Sequence, residues 1–89
     1  ATLLSTATAL GPLVRAQRKA QSLRIDDAAG LIGVSADLMS RLENAQGSVR
    51  LDKALAVLDG LGLTLLVLPK EHPWAREAAR SGSAMPSSP

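Results

Sequence analysis

The sequence predicts a mainly α-helical domain: four short helices, then one C-terminal β-strand that pairs across a homodimer. Apolar residues recur at helical spacing through most of residues 8–61. Inside that span, Gly33-Val34 forms a tight corner between two helices, and Ser35 opens the second of them. Beyond it, Leu63, Thr64, Leu65, Leu66, Val67 and Leu68 form a short run, apolar on both faces and closed by Pro69. Such a run is too short for a further helix and suits a buried strand.

Residues 1–7 are expected to be a flexible start. A first helix is predicted from about Thr8 to Gln21, with Leu10, Leu13, Val14, Gln17 and Ala20 along one side. Pro12 requires that it begin between Thr8 and Gly11, since proline is tolerated only in the first turn. Arg15, Arg18 and Lys19 gather in its second half, where cations complement the helix dipole. Leu23 is a candidate core plug. The second helix runs Ile25–Ile32, with Asp26 and Asp27 in its first turn. Ala29 is small where two axes must approach, and close packing is the usual reason for a mid-helix glycine such as Gly30. Gly33 suits the left-handed residue past a helix end, and Ser35 an N-cap. The third helix, to Asn44, carries Val34, Leu38, Met39 and Leu42 as its apolar stripe.

A loop at Ala45-Gln46-Gly47-Ser48 leads to a fourth helix, about Leu51 to Leu61, with Leu51, Ala54, Leu55, Leu58 and Leu61 at core spacing and Gly62 as its cap. The strand candidate follows. A lone strand leaves buried backbone groups unpaired, and the simplest partner is the same strand of a second copy about a two-fold axis. Residues 8–69 thus form the domain. Residues 70–89, rich in Ser, Gly and Pro toward the end, read as a short helical fragment at most and then a disordered tail.

The totals narrow the function classes. At 89 residues the chain is one small domain, a size that buries only about 60% of the surface its unfolded form exposes. With no cysteine and no metal-ligand set, oligomerisation is the remaining means of support. Ten Lys+Arg against eight Asp+Glu permits nucleic-acid binding without requiring it. A single aromatic residue, Trp74, argues against base stacking on a single strand. No run approaches the roughly 20 apolar residues of a membrane span. The opening ATLLSTATALGPL lacks the basic leading segment of a signal peptide. Together with the absence of cysteine, this fits a cytoplasmic protein. No paired carboxylates, nucleophile with a base, or phosphate-cradling glycine loop suggests an enzyme, and no cofactor is expected.

Helix, short Gly-containing turn, helix is the pattern of the DNA-binding helix-turn-helix, whose second helix enters the major groove. RKAQSL, AAGLIGVS and SRLEN resemble the phage-repressor-type (Xre, or Cro/C1) helix-turn-helix family. Adding LDKALAVLDGLGLTLLVLP makes the chain similar to the HipB-like antitoxins, which pair with a HipA kinase toxin. The resemblance spans roughly Leu10 to Pro69. It implies a four-helix phage-repressor-like domain, an ion pair between Arg18 and Glu43 (two solvated surface charges being the alternative), and base reading by Ala36, Asp37, Ser40 and Arg41. Arg41 is the best direct reader, because a guanidinium can bond two acceptors of guanine. Ser40 suits a base or phosphate, and Ala36 a thymine methyl. Asp37 either accepts from a cytosine amino group, orients Arg41, or merely complements the helix dipole. Phosphate contacts fall to Arg24, Ser35, Arg50 and Lys53, an ordinary solvated face being the alternative for Arg50 and Lys53. The family usually has Gln where this chain has Ile25, so that contact must come from the helix N-terminal amides, from Arg24, or not at all.

His72 stands alone and reads as an exposed side chain. Trp74 either folds back on the dimer or anchors a partner protein, the toxin contact being favoured. The resemblance as a whole implies a dimeric repressor binding a palindromic DNA operator, and an antitoxin that also binds a kinase toxin. The alternatives are a stand-alone Xre-type regulator and a protein-interaction module that has lost DNA binding.

Overall fold

The computed structural model describes residues 2–4 and 6–80; the expectation of disorder over 81–89 lies outside these residues. A 3₁₀ turn at Ala7–Ala9 leads into α1 (Leu10–Ala20), followed by α2 (Ile25–Ile32), α3 (Ala36–Asn44), α4 (Leu51–Gly60) and α5 (Pro73–Arg80). Pro12 falls in the first turn of α1, where its missing N–H costs no helical bond.

α1 packs chiefly on α3, and α2 lies against both α3 and α4. Val14, Ala28, Met39 and Val57 are wholly buried where these helices meet, with Ala29, Leu42, Ala54, Leu58 and Leu61 around them and Leu23 packed at the edge. The small residue that permits the α1–α3 crossing is Gly11. A Cβ there would lie 2.2 Å from the Glu43 backbone oxygen, so any side chain would push the helices apart. Gly30, by contrast, faces open space, which rules out close packing as its reason.

Several expectations need correction. Five α-helices occur among the described residues instead of four, because the tail segment Pro73–Arg80 is helical. His72, half-buried, caps α5: its Nδ1 accepts the backbone N–H of Trp74 at 3.1 Å. On α4 the buried stripe is Ala54, Val57, Leu58 and Leu61. Leu51 and Leu55, at 70% and 41% exposure, fall outside it, since the first turn of α4 projects past the core and Leu55 sits on its flank. Ala20 is exposed as well.

No strand occurs among the described residues. Leu63 donates its N–H to the Leu58 carbonyl at 2.8 Å as part of the α4 cap, but Thr64 to Leu68 make no backbone hydrogen bond among the described residues. A strand exists through its ladder, and although Thr2, Leu3 and Leu4 line cavities together with this segment, no described residue forms a ladder with it.

Candidate nucleic-acid interface

The second helix of the α2–α3 pair is oriented from both ends. At its start, Ser35 Oγ accepts the Leu38 N–H at 3.0 Å, and Gly33 turns the chain at φ +88°. Further along, Arg18 on α1 donates through Nε to Glu43 Oε2 at 2.7 Å and through Nη2 to Oε1 at 2.9 Å, while its Nη1 donates to the Leu23 carbonyl at 2.8 Å. Both side chains are buried. This bidentate pair ties α1, the α1–α2 connection and α3 together. Hydrogen bonding to Glu43, opposed by burial and aided by its charge, raises the Arg18 pKa above its already high ordinary value.

With Met39, Leu42 and Glu43 turned inward, α3 presents the opposite edge to solvent. Ala36 and Asp37 are exposed, and Ser40 and Arg41 half-buried. The arrangement brings Asp37 and Arg41 together: Arg41 Nε donates to Asp37 Oδ2 at 3.0 Å. Arg41 Nη1 also donates to the Ser48 carbonyl at 2.8 Å, a contact on the loop before α4. Asn44 Nδ2 donates to the Ser40 carbonyl at 2.9 Å and reaches Ser40 Oγ at 3.4 Å, which leaves the Ser40 hydroxyl hydrogen able to point outward.

Two of the three flanking cations are also paired with neighbouring acids. Arg24 lies 3.6 Å from Asp26, and Arg50 lies 3.1 Å from Asp52, all four side chains being well exposed. Lys53 has no side-chain partner among the described residues. Exposed pairs of this kind contribute about 1 kcal/mol at most, so an approaching phosphate can displace the carboxylate. The Asp37–Arg41 pairing was readable, because the two stand at i,i+4; the other two join an N-cap residue to the second helical residue after it, a spacing that signals no contact. The Ser48 carbonyl was not readable, since it depends on the course of a loop.

A separate apolar groove of 830 Å3 lies along α1 and the residues after α4, lined by Leu10, Leu13, Leu58, Leu65, Leu66 and Trp74 among others. Trp74, 45% exposed, is turned onto its own chain. Gln17 on α1 and Gln21, the residue that caps its end, both donate to the Leu61 carbonyl, at 3.0 and 2.8 Å, and fix the end of α4 beside this groove. No group of His, Cys, Asp and Glu among the described residues could hold a metal ion, and none of the described helices is long and apolar enough to cross a membrane.

Comparison with known proteins agrees with this architecture. A chain in the HipA-HipB-O2-O3 complex superposes with a TM-score of 0.71, covering 80% of this chain and all of that one at 18% identity, a likeness of fold. An uncharacterized HTH-type transcriptional regulator, y4mF of Sinorhizobium fredii (strain NBRC 101917 / NGR234), is 37% identical over 65 residues, which is 73% of this chain and 86% of the relative. The family model for the helix-turn-helix domain matches residues 9–68, all of α1 to α4 and the segment after it up to Leu68, and the chain belongs to that family.

Proposed function

We propose that this protein is a dimeric, sequence-specific DNA-binding transcriptional regulator. The observation that carries the reading is the exposed edge of α3, Ala36-Asp37-Ser40-Arg41, on a helix fixed from behind by the Arg18–Glu43 pair. In this reading α3 enters the major groove and Arg41 reads guanine. Arg24, Ser35, Arg50 and Lys53 meet phosphates on either side, supplying salt-dependent affinity and positioning. Two protomers joined along residues 63–68 set two such helices on a palindromic site. The y4mF relative supports the regulatory role.

The test is a mobility-shift titration of the protein against its own promoter region at several salt concentrations. Tight binding that weakens steeply with salt is the expected result, and Arg41→Ala is expected to relax base preference. Absence of a shift, or binding indifferent to salt, overturns the reading. The finer version is an antitoxin that also holds a HipA-like kinase toxin. The likeness to a chain of the HipA-HipB-O2-O3 complex supports it at the level of fold. Co-purification with the product of an adjacent kinase-like gene tests it, Trp74→Ala being the variant that weakens capture if Trp74 is the toxin contact.

One observation favours a second reading, an interaction module without DNA binding. Arg24, Arg41 and Arg50 each face a carboxylate of their own chain, which reduces the positive field of this surface. The same titration separates the two.

A further inference from the structure

We propose that Asp37 is a specificity-determining residue that acts through Arg41. Resting on the DNA-reading role of α3 proposed above, the inference concerns how the reading side chain is held. Arg41 is long and rotamer-rich, and a side chain that must be ordered on binding discriminates poorly between bases. Here it is ordered beforehand. Its Nε–H is taken by Asp37 Oδ2 at 3.0 Å, one turn earlier on the same helix, and its Nη1 by the Ser48 carbonyl at 2.8 Å, on the loop to α4. The loop is itself anchored to the same residue, since the Gln46 N–H donates to the Arg41 carbonyl at 2.9 Å. Side-chain and main-chain bonds thus close on Arg41 from two directions.

A guanidinium carries five N–H donors, so three remain, both of those on Nη2 among them. The Arg41 side chain keeps 37% of its surface exposed, enough for these donors to face a base edge. The arrangement also accounts for a carboxylate on a turn that approaches phosphates. Unpaired, Asp37 would repel the duplex; neutralised by Arg41, it fixes the direction in which the remaining donors point.

The experiment selects duplexes from a randomised library with the full-length protein and its Asp37→Ala, Asp37→Asn and Arg41→Ala variants. Binding to unselected duplex serves as the electrostatic control, and circular dichroism checks the fold. Asp37 is exposed, so its replacement leaves the core intact. The wild type should select a consensus. Asp37→Ala should lose discrimination at the same position as Arg41→Ala, by about fivefold or more, while unselected duplex binds no more weakly than before. Asp37→Asn, which keeps an acceptor, should retain most of the preference. An unchanged consensus in Asp37→Ala overturns the proposal. So does loss of preference at a position that Arg41→Ala leaves intact, because the carboxylate would then be reading a base itself. Either result leaves the DNA-reading role standing. A wild type that selects no consensus overturns that role and this proposal with it.

Discussion

Removing the Glu43 carboxylate leaves the Arg18 guanidinium with one acceptor, the Leu23 carbonyl, in a site largely closed to water. Breaking such a pair by deleting one partner costs about 3–5 kcal/mol, because the remaining charge stays buried without compensation. Glu43→Ala should therefore lower the thermal midpoint sharply, or unfold a domain of this size outright, as followed by circular dichroism. Replacing both partners with apolar residues, Arg18→Met with Glu43→Leu, should recover much of the loss. A double variant no more stable than Glu43→Ala would show that the pair is not the reason. The raised Arg18 pKa carries a sign: its contribution is fully present below the unfolded-state value and is lost only as pH rises through the still higher folded one. Stability lost near neutral pH would therefore have another source. The partnership of residues 18 and 43 is not contained in their spacing; it came from the resemblance of RKAQSL and SRLEN to a family. The Asp37–Arg41 pair was legible as one of several roles for Asp37, because i,i+4 spacing alone makes the contact available.

The four core helices end in the same way. After α1, α2, α3 and α4 a residue turns left-handed: Ser22 at φ +59°, Gly33 at +88°, Ala45 at +54° and Gly62 at +79°. In each case the next N–H folds back to a carbonyl five residues earlier, Leu23 to Arg18, Val34 to Ala29, Gln46 to Arg41 and Leu63 to Leu58. This is the closing bond of a Schellman cap. Two of the four were readable because glycine advertises a positive φ; Ser22 and Ala45 give no such signal, since tertiary packing imposes the turn on residues that pay a strain for it. Ala45→Gly removes a strain of about 1–2 kcal/mol and adds about 0.5–1 kcal/mol of unfolded-chain entropy. It should raise stability by up to roughly 1 kcal/mol in urea titration, whereas Gly33→Ala should lower it. A destabilised Ala45→Gly would mean the alanine methyl packs in a way its exposure does not suggest. Gly11→Ala should be worse than either, at about 1–3 kcal/mol, because its Cβ meets backbone that has no rotamer to yield. Periodicity located α1 to α4 but misjudged which α4 residues are buried, since it gives a stripe and not how far the neighbours extend along it. The helix at Pro73–Arg80 is faint in the sequence because a polar segment shows little of its one buried side, where Ala78 sits.

At the level of the whole molecule, the segment after α4 is what a single protomer leaves unresolved energetically. Leu65, Leu66 and Val67 are 43%, 59% and 85% exposed beside the apolar groove, and Thr64 to Leu68 lack backbone partners among the described residues. Apolar side chains and open backbone groups in one place are what an edge needs to pair with a second copy. If they do, folding and association are coupled, and the thermal midpoint of the wild type should climb with protein concentration. Leu66→Pro removes a ladder donor and is placed where the protomer buries little, so the variant should stay folded and sediment as a monomer. That separation matters for DNA as well. A monomer meets half the phosphates, so the slope of log affinity against log salt should fall by about half while each remaining contact keeps its strength. A Leu66→Pro protein that still sediments as a dimer with an undiminished slope would place the interface elsewhere, and the groove holding Trp74 would be the next surface to probe, since it is continuous with the same segment. The expectation of a strand here rests on composition and not on any ladder in the protomer: six residues apolar on both faces, Leu65, Leu66 and Val67 among them left exposed, have to be covered by something.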